Sequence, residues 1–128
     1  MDAFTTPGAF SWSELMTSDA AAAAEFYGQL FGWSIESMDM PTGQYRVAKI
    51  GDVAIAGMMA SPDPSGEAPV WRCYVTVADV DAAIERCRSL GGAVLMPAMD
   101  VPTVGRMACI SDPQGAVINI ISYEPKAG

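Results

Sequence analysis

The sequence predicts an α+β fold made of two tandem β-α-β-β-β modules. Three observations carry this expectation. Sliding the chain against itself by 60 residues brings Asp19 onto Asp79, Ala22 and Ala23 onto Ala82 and Ala83, Leu30 onto Leu90, and Gly32 onto Gly92. Each half holds a helix-period stretch followed by short β-like runs. Between the halves, Ser61-Pro62-Asp63-Pro64-Ser65-Gly66-Glu67 has no apolar residue besides its prolines and no periodicity, so it reads as an exposed linker.

Each half opens with a strand-like run, 10–17 (FSWSELMT) and 70–77 (VWRCYVTV). Helices follow at about 19–31 and 79–90. Ser18 or Asp19, and Asp79 or Asp81, can cap them by accepting orphan backbone N–H bonds, and an anion suits the positive end of the helix dipole. Ala23, Phe26, Tyr27, Leu30 and Phe31 recur at helical spacing in the first helix, and Val80, Ala83, Ile84, Cys87 and Leu90 in the second. Gly32 and the Gly91-Gly92 pair stop them, since only glycine takes the left-handed C-terminal position without strain. Three β-like runs then follow in each half, near 33–39, 44–50 and 53–59, and near 93–99, 104–110 and 116–122. Pro41-Thr42-Gly43, Gly51-Asp52, Pro102-Thr103 and Asp112-Pro113-Gln114-Gly115 punctuate them. The expected organisation is one domain over 1–128: module one at about 9–60, a linker at 61–68, module two at about 69–123, and a tail at 124–128.

Composition narrows the chemistry. With 7 Lys+Arg against 15 Asp+Glu the formal net charge is −8, and there is no histidine. Without imidazole there is no Ser-His or Cys-His nucleophile pair and no nitrogen ligand of the commonest kind for a transition metal. The acidic balance, with the seven cations scattered, argues against a nucleic-acid partner or an anionic membrane surface, which need a basic face. No apolar run is long enough for a membrane span, and the first twenty residues lack the pattern of an export signal. Cys73, Cys87 and Cys109 are odd in number and far apart, which suits buried reduced thiols and a cytoplasmic protein.

At this point the residues resemble a known family, the vicinal oxygen chelate superfamily of glyoxalase I, bleomycin-resistance proteins and extradiol dioxygenases. The carriers are Trp12-Ser13-Glu14-Leu15 leading to Asp19, Phe26-Tyr27, and Leu30-Phe31-Gly32-Trp33. In the second half they are Val77, Asp79-Val80-Asp81-Ala82, Leu90-Gly91-Gly92 and Asp112-Pro113-Gln114-Gly115. The resemblance runs from about Ala9 to Tyr123. It implies curved, mostly antiparallel sheets around a central ligand cleft, with the helices on the convex side. It also implies a homodimer.

In the metal-dependent branch of that family, ligands come from four strands. Carried over by position, they fall on Trp12 (seven residues before Asp19), on Ala56 or Gly57, on Arg72, and on Asn119 (seven after Asp112). One neutral amide oxygen beside a guanidinium is a poor divalent site. The expectation is therefore no metal and no cofactor.

Strand alternation places Phe10, Trp12, Glu14 and Met16 on one face, Val70, Arg72, Tyr74 and Thr76 on another, and Val117, Asn119 and Ile121 on a third. The opposite parity, with Leu15, Trp71, Cys73, Val75, Val77, Ile118 and Ile120, is expected under the helices. A cleft of Trp12, Tyr74, Met16 and Met58 or Met59 with Glu14, Arg72 and Asn119 as its polar groups suits a flat organic ligand. The same residues also have a purely structural reading: Trp12 and Tyr74 as space-filling core, the methionines as gap filler, Glu14 and Arg72 as an ion pair.

Three functions stay open. One is a metal-independent protein that binds a hydrophobic, aromatic or cationic small molecule, toward which the negative charge would steer a cation. Another is a metal-free isomerase, cyclase or hydratase with Glu14, Tyr74 and Arg72 as acid-base and anion-holding groups and Tyr45 as a further possible proton donor. The last is a subunit whose sheets mainly form an oligomer interface.

Overall fold

The computed structural model describes residues 1–40, 43–61 and 69–124. Residues 62–68 of the expected 61–68 linker, the Pro41-Thr42 part of one turn, and the tail beyond Glu124 lie outside the described residues. Among those described there are eight strands and two helices: β1 Phe10–Thr17, α1 Ala20–Phe31, β2 Ser34–Met40, β3 Gly43–Ile50, β4 Val53–Ala60, β5 Val70–Thr76, α2 Val80–Ser89, β6 Ala93–Val101, β7 Gly105–Ser111 and β8 Val117–Tyr123. This is the α+β class that the repeat predicts. No helix among the described residues is long and apolar enough to cross a membrane.

The helix ends follow local chemistry. Asp19 and Asp79 each accept a hydrogen bond from the backbone N–H three residues on, at 3.0 Å from Ala22 and from Ala82. Gly32 ends α1 in the left-handed region at φ 75°, where its own N–H bonds the Gly28 carbonyl.

The chain divides into two compact units, Trp12–Arg72 and Met1–Ser11 with the chain from Cys73 onward; the division falls inside β1 and inside β5. In the Trp12–Arg72 unit the strand order is β2-β3-β4-β1. The β2–β3 and β3–β4 pairs are antiparallel and β1–β4 is parallel. Leu15, Ala24, Ala48, Ala56 and Met58 form its core, flanked by Ala23, Tyr27, Trp33, Ile35 and Ile55.

Helix α1 departs from expectation. Its buried residues are Ala20 and Ala24, whereas Phe26, Leu30 and Phe31 are each more than half exposed. The alanines let the helix approach the sheet closely, and the larger rings collect at its edge. There Tyr27 stacks with Phe31 and Trp33, and Trp71 meets Tyr27 edge-on while its indole N–H donates to the Tyr27 hydroxyl. Trp71 and Cys73, expected beneath the helices, are both exposed. Of the three thiols, all expected to be buried, only Cys109 is; Cys87 is half-buried.

In the other unit the order is β5-β8-β7-β6, with β5–β8 parallel and the remaining pairs antiparallel. Val80 and Ile84 of α2 pack on Ala108 and Ile120, with Val77, Ala83, Val94, Ala98 and Ile110 around them. The N-terminal residues join this unit through Thr76. Its backbone N–H donates to Ala9, its carbonyl accepts from Gly8, and its hydroxyl donates to the Ala3 carbonyl at 2.7 Å.

On this unit's surface Arg106 holds Asp81 through two hydrogen bonds, at 2.9 and 3.0 Å, and Asp100 through a third. The hydrogen bonds from Arg106 keep the Asp81 carboxyl below its ordinary value. A depressed folded-state value means that the pair stabilises above the unfolded carboxylate pKa of about 3.9 and that this contribution is lost as pH falls through the lowered value. Asp81→Asn is therefore expected to lower Tm slightly at neutral pH and low salt, and to leave it unchanged in strong acid. Thermal melts of both proteins across pH check this. The effect stays small because the pair is exposed and screened.

Candidate functional site

In the Trp12–Arg72 unit, β4 lies between β3 and β1. Glu14 stands opposite Gly57, and Gly57 opposite Val47. From β3 the Tyr45 side chain extends across β4 to β1. There its hydroxyl donates to Glu14 Oε2 at 2.7 Å and accepts from Trp12 Nε1 at 2.9 Å.

This crossing is possible because residue 57 has no side chain. A Cβ on Gly57 would sit 1.7 Å from the Tyr45 hydroxyl oxygen and 2.2 Å from the ring carbon that bears it. Glycine here serves a close approach rather than a turn.

The result is a hydrogen-bonded chain from indole to phenol to carboxylate. It also shows that Trp12 and Glu14 share a face, while Leu15, the next residue along β1, belongs to the core. Glu14 is 6% exposed. A buried carboxylate must be hydrogen-bonded to be tolerated, and a phenol O–H to a carboxylate is among the stronger such bonds.

The remaining sequence-derived candidates are distributed as follows. Met16 is half-buried on β1, opposite Met59. Met58 corrects the expectation that it lines the ligand face: it is fully buried in the core with Leu15 and Ala24, and Met59 has the parity of Gly57. Arg72 lies half-buried in β5 of the same unit.

Tyr74 and Asn119 are neighbours in the other unit, paired in register between β5 and β8. Both are buried, Tyr74 at 4% and Asn119 at 1% exposure. The Tyr74 hydroxyl reaches the Met107 sulfur at 3.8 Å.

Of the positions that the family resemblance gives for metal ligands, none carries a carboxylate, a thiol or an imidazole. Ala56 is core, the space over Gly57 is taken by Tyr45, Trp12 donates its only polar hydrogen to Tyr45, and Arg72 is itself a cation. Among the described residues no group of three or more Cys, Asp or Glu could hold a metal ion. Tyr45 is the residue that sequence reasoning underweighted. The available signal was a tyrosine at strand parity opposite a strand that carries glycine, a pair that only strand register reveals.

Comparison with known proteins gives a consistent family. The profile of the Glyoxalase/Bleomycin resistance protein/Dioxygenase superfamily matches residues 9–120. CFP32 of Mycobacterium bovis, which carries a glyoxylase name, is 38% identical over 117 residues, covering 88% of this chain and 45% of that protein. The anthracycline biosynthesis protein DnrV of Streptomyces peucetius is 34% identical over 128 residues, covering 89% of this chain and 46% of that one. The chain thus spans about half the length of the curated relatives it matches. Methylmalonyl-CoA epimerase from Mycobacterium tuberculosis shares the fold, with a TM-score of 0.68 at 19% identity over 94% of this chain and 92% of the other. By the profile match across most of its length and by these relatives, the chain belongs to the Glyoxalase/Bleomycin resistance protein/Dioxygenase superfamily.

Proposed function

We propose that this member of the superfamily binds a hydrophobic or aromatic small molecule without a metal. The carrying observation is the Trp12–Tyr45–Glu14 chain, which puts an indole, a phenol and a buried carboxylate on one face of the Trp12–Arg72 unit. Trp12 supplies an aromatic surface, Met16 an adaptable thioether, and Glu14 and Arg72 the polar groups that orient a ligand. In the other unit, Tyr74 and Asn119 are proposed as ligand contacts. The donor chemistry at the family's ligand positions supports metal independence, as described above. The reading includes a cytoplasmic homodimer.

The anthracycline biosynthesis relative makes flat polycyclic aromatics the first ligands to test. Titration with a panel of such compounds is expected to quench tryptophan fluorescence at a fixed stoichiometry and to return the compound unchanged. Trp12→Phe should reduce the quenching. No saturable quenching by any member of the panel would sink the reading. A stoichiometric divalent ion in the purified protein would remove its metal-independent part.

The Tyr45–Glu14 hydrogen bond favours one further reading, an enzyme in which Glu14 moves a proton, with Tyr74 and Arg72 in support. In that case the compound is converted, and Glu14→Gln abolishes conversion while affinity survives. Unchanged turnover in Glu14→Gln would eliminate it.

A further inference from the structure

Helices α1 and α2 are repeat equivalents, and each beds on its own unit in the same way. Ala20 and Ala24 are the buried residues of α1, and Val80 and Ile84, 60 positions on, are those of α2. The two helices therefore turn corresponding faces outward, and each serves as a control for the other. On α2 that face carries what water favours: Asp81, Glu85, Arg86 and Arg88 are exposed, Arg88 pairs with Glu85 at 2.9 Å, and Arg106 holds Asp81. At the equivalent positions α1 carries Ala21, Glu25, Phe26 and Gly28.

Phe26 is 59% exposed, and Phe31, where the other unit has Gly91, is 57% exposed. Leu30 is as exposed as Phe26, but so is its equivalent Leu90, so the two phenylalanines mark the difference. Both rest on Tyr27, Phe26 edge-on at 5.1 Å and Phe31 stacked at 6.0 Å, and Trp71 joins them there. Phe26, Leu30, Phe31 and Trp71 together expose roughly 400 Å², an apolar patch of the size that marks an interaction surface.

The chemistry of this face selects its occupant. With a formal net charge of −8, two copies of the chain repel one another over most of their surface. Among the exposed residues of α1 only Glu25 is charged, and the Gln29 amide donates to its carboxylate at 3.3 Å. A basic partner would find a single carboxylate here to hold it, so the face suits a neutral apolar counterpart. Helix α1 is such a counterpart for itself: its first half exposes Ala21 and Ala22, its second half Phe26 and Leu30. About a two-fold axis near Phe26, an antiparallel second copy sets the large residues of each helix against the alanines of the other. That is the self-complementarity an isologous contact needs.

We propose that the outer face of α1 is the contact between two copies of this chain, paired antiparallel with Phe26 at the two-fold axis. The proposal rests on the homodimer reading above and assigns its surface. A stable complex buries about 800 Å² per partner, twice this patch, so residues around it must join in and the dimer dissociates on dilution.

Sedimentation velocity on the full chain, from micromolar to near-millimolar concentration, tests it. The wild type is expected to pass from monomer to dimer. Added salt is expected to strengthen the dimer, because it screens the like net charges and leaves apolar contact intact. Phe26→Arg and Ala21→Asp each install the residue that α2 carries at the equivalent position, so both suit a helix face in water. Phe26→Arg is expected to raise the dimer dissociation constant about a hundredfold, since both copies change and like charges then meet at the axis. Ala21→Asp is expected to raise it about tenfold.

A dimer that folded Phe26→Arg leaves unweakened overturns the proposal, and the homodimer reading then stands on another face. Should Phe26→Arg not fold, an unweakened dimer in Ala21→Asp overturns it equally. A dimer that salt weakens is held by ion pairs, which also overturns it. A wild type that stays monomeric throughout overturns the proposal and the homodimer reading together.

Discussion

Gly57→Ala is expected to destabilise the protein by about 2–4 kcal/mol, far more than a methyl group on a strand would ordinarily cost. The added Cβ would occupy the place of the Tyr45 hydroxyl, 1.7 Å away. The tip of a tyrosine can swing aside, but this one is held at both sides, by Trp12 Nε1 and by Glu14 Oε2. Moving it breaks one neutral and one charge-assisted hydrogen bond and takes the phenol donor away from a carboxylate that is only 6% exposed.

A double-mutant cycle in urea isolates this cause. Where Tyr45→Ala has already removed the ring, Gly57→Ala should cost well under half as much. Equal costs in the two backgrounds would mean that the crossing of Tyr45 over β4 does not matter. Loss of the same geometry should also weaken binding of aromatic ligands, since Trp12 would no longer be fixed by its indole hydrogen bond.

The second large effect is Met58→Ala, expected to cost about 2–5 kcal/mol, as large-to-small changes do in a filled core. Met58 is fully buried among Leu15, Ala24, Ala48 and Ala56, most of them already small, so little can collapse into the space left. Met59→Ala, one residue on and half-buried at the opposite parity, should cost less than about 1 kcal/mol. Chemical denaturation of both variants checks the pair. If Met59 proved the costlier, the assignment of faces in β4 would be wrong, and Met58 would return as a candidate ligand contact.

These two residues show where sequence reading stops. In β4 the run Ala54-Ile55-Ala56-Gly57-Met58-Met59 is apolar at both parities, so alternation alone does not say which methionine faces the core. The register does, by setting Met58 beside Leu15 and Met59 beside Met16. Helix α1 fails in a related way. Phe26, Tyr27, Leu30 and Phe31 have helical spacing and hydrophobic chemistry, yet the fully buried residues are alanines, and of the clustered rings Tyr27 and Trp33 only flank the core while Phe26, Phe31 and Trp71 are exposed. Hydrophobicity ranks residues for burial, whereas close packing of a helix on a sheet selects the small ones.

The site was legible to the extent that it lies on one strand. Trp12 and Glu14 were paired by parity within β1, and that pairing holds. Tyr45 comes from another strand, 31 residues away from Glu14 in sequence, and its reach depends on what the intervening strand lacks. Cys73 and Trp71 read as buried from alternation in β5, but alternation assigns a face without saying what covers it.

By itself the sequence determined the repeated β-α-β-β-β order, the α+β class, the aspartate and glycine helix ends, and the absence of imidazole chemistry. All of these follow from local hydrogen bonding, backbone freedom or composition, which neighbours in the chain settle among themselves. Only the tertiary structure decided that Tyr45 lies over Gly57 to join Trp12 to Glu14, that Met58 and not Met59 fills the core, and that Tyr74 and Asn119 stand buried side by side on β5 and β8. Each of these depends on strand register and on the side chain, or the lack of one, on an adjacent strand, which no single segment specifies.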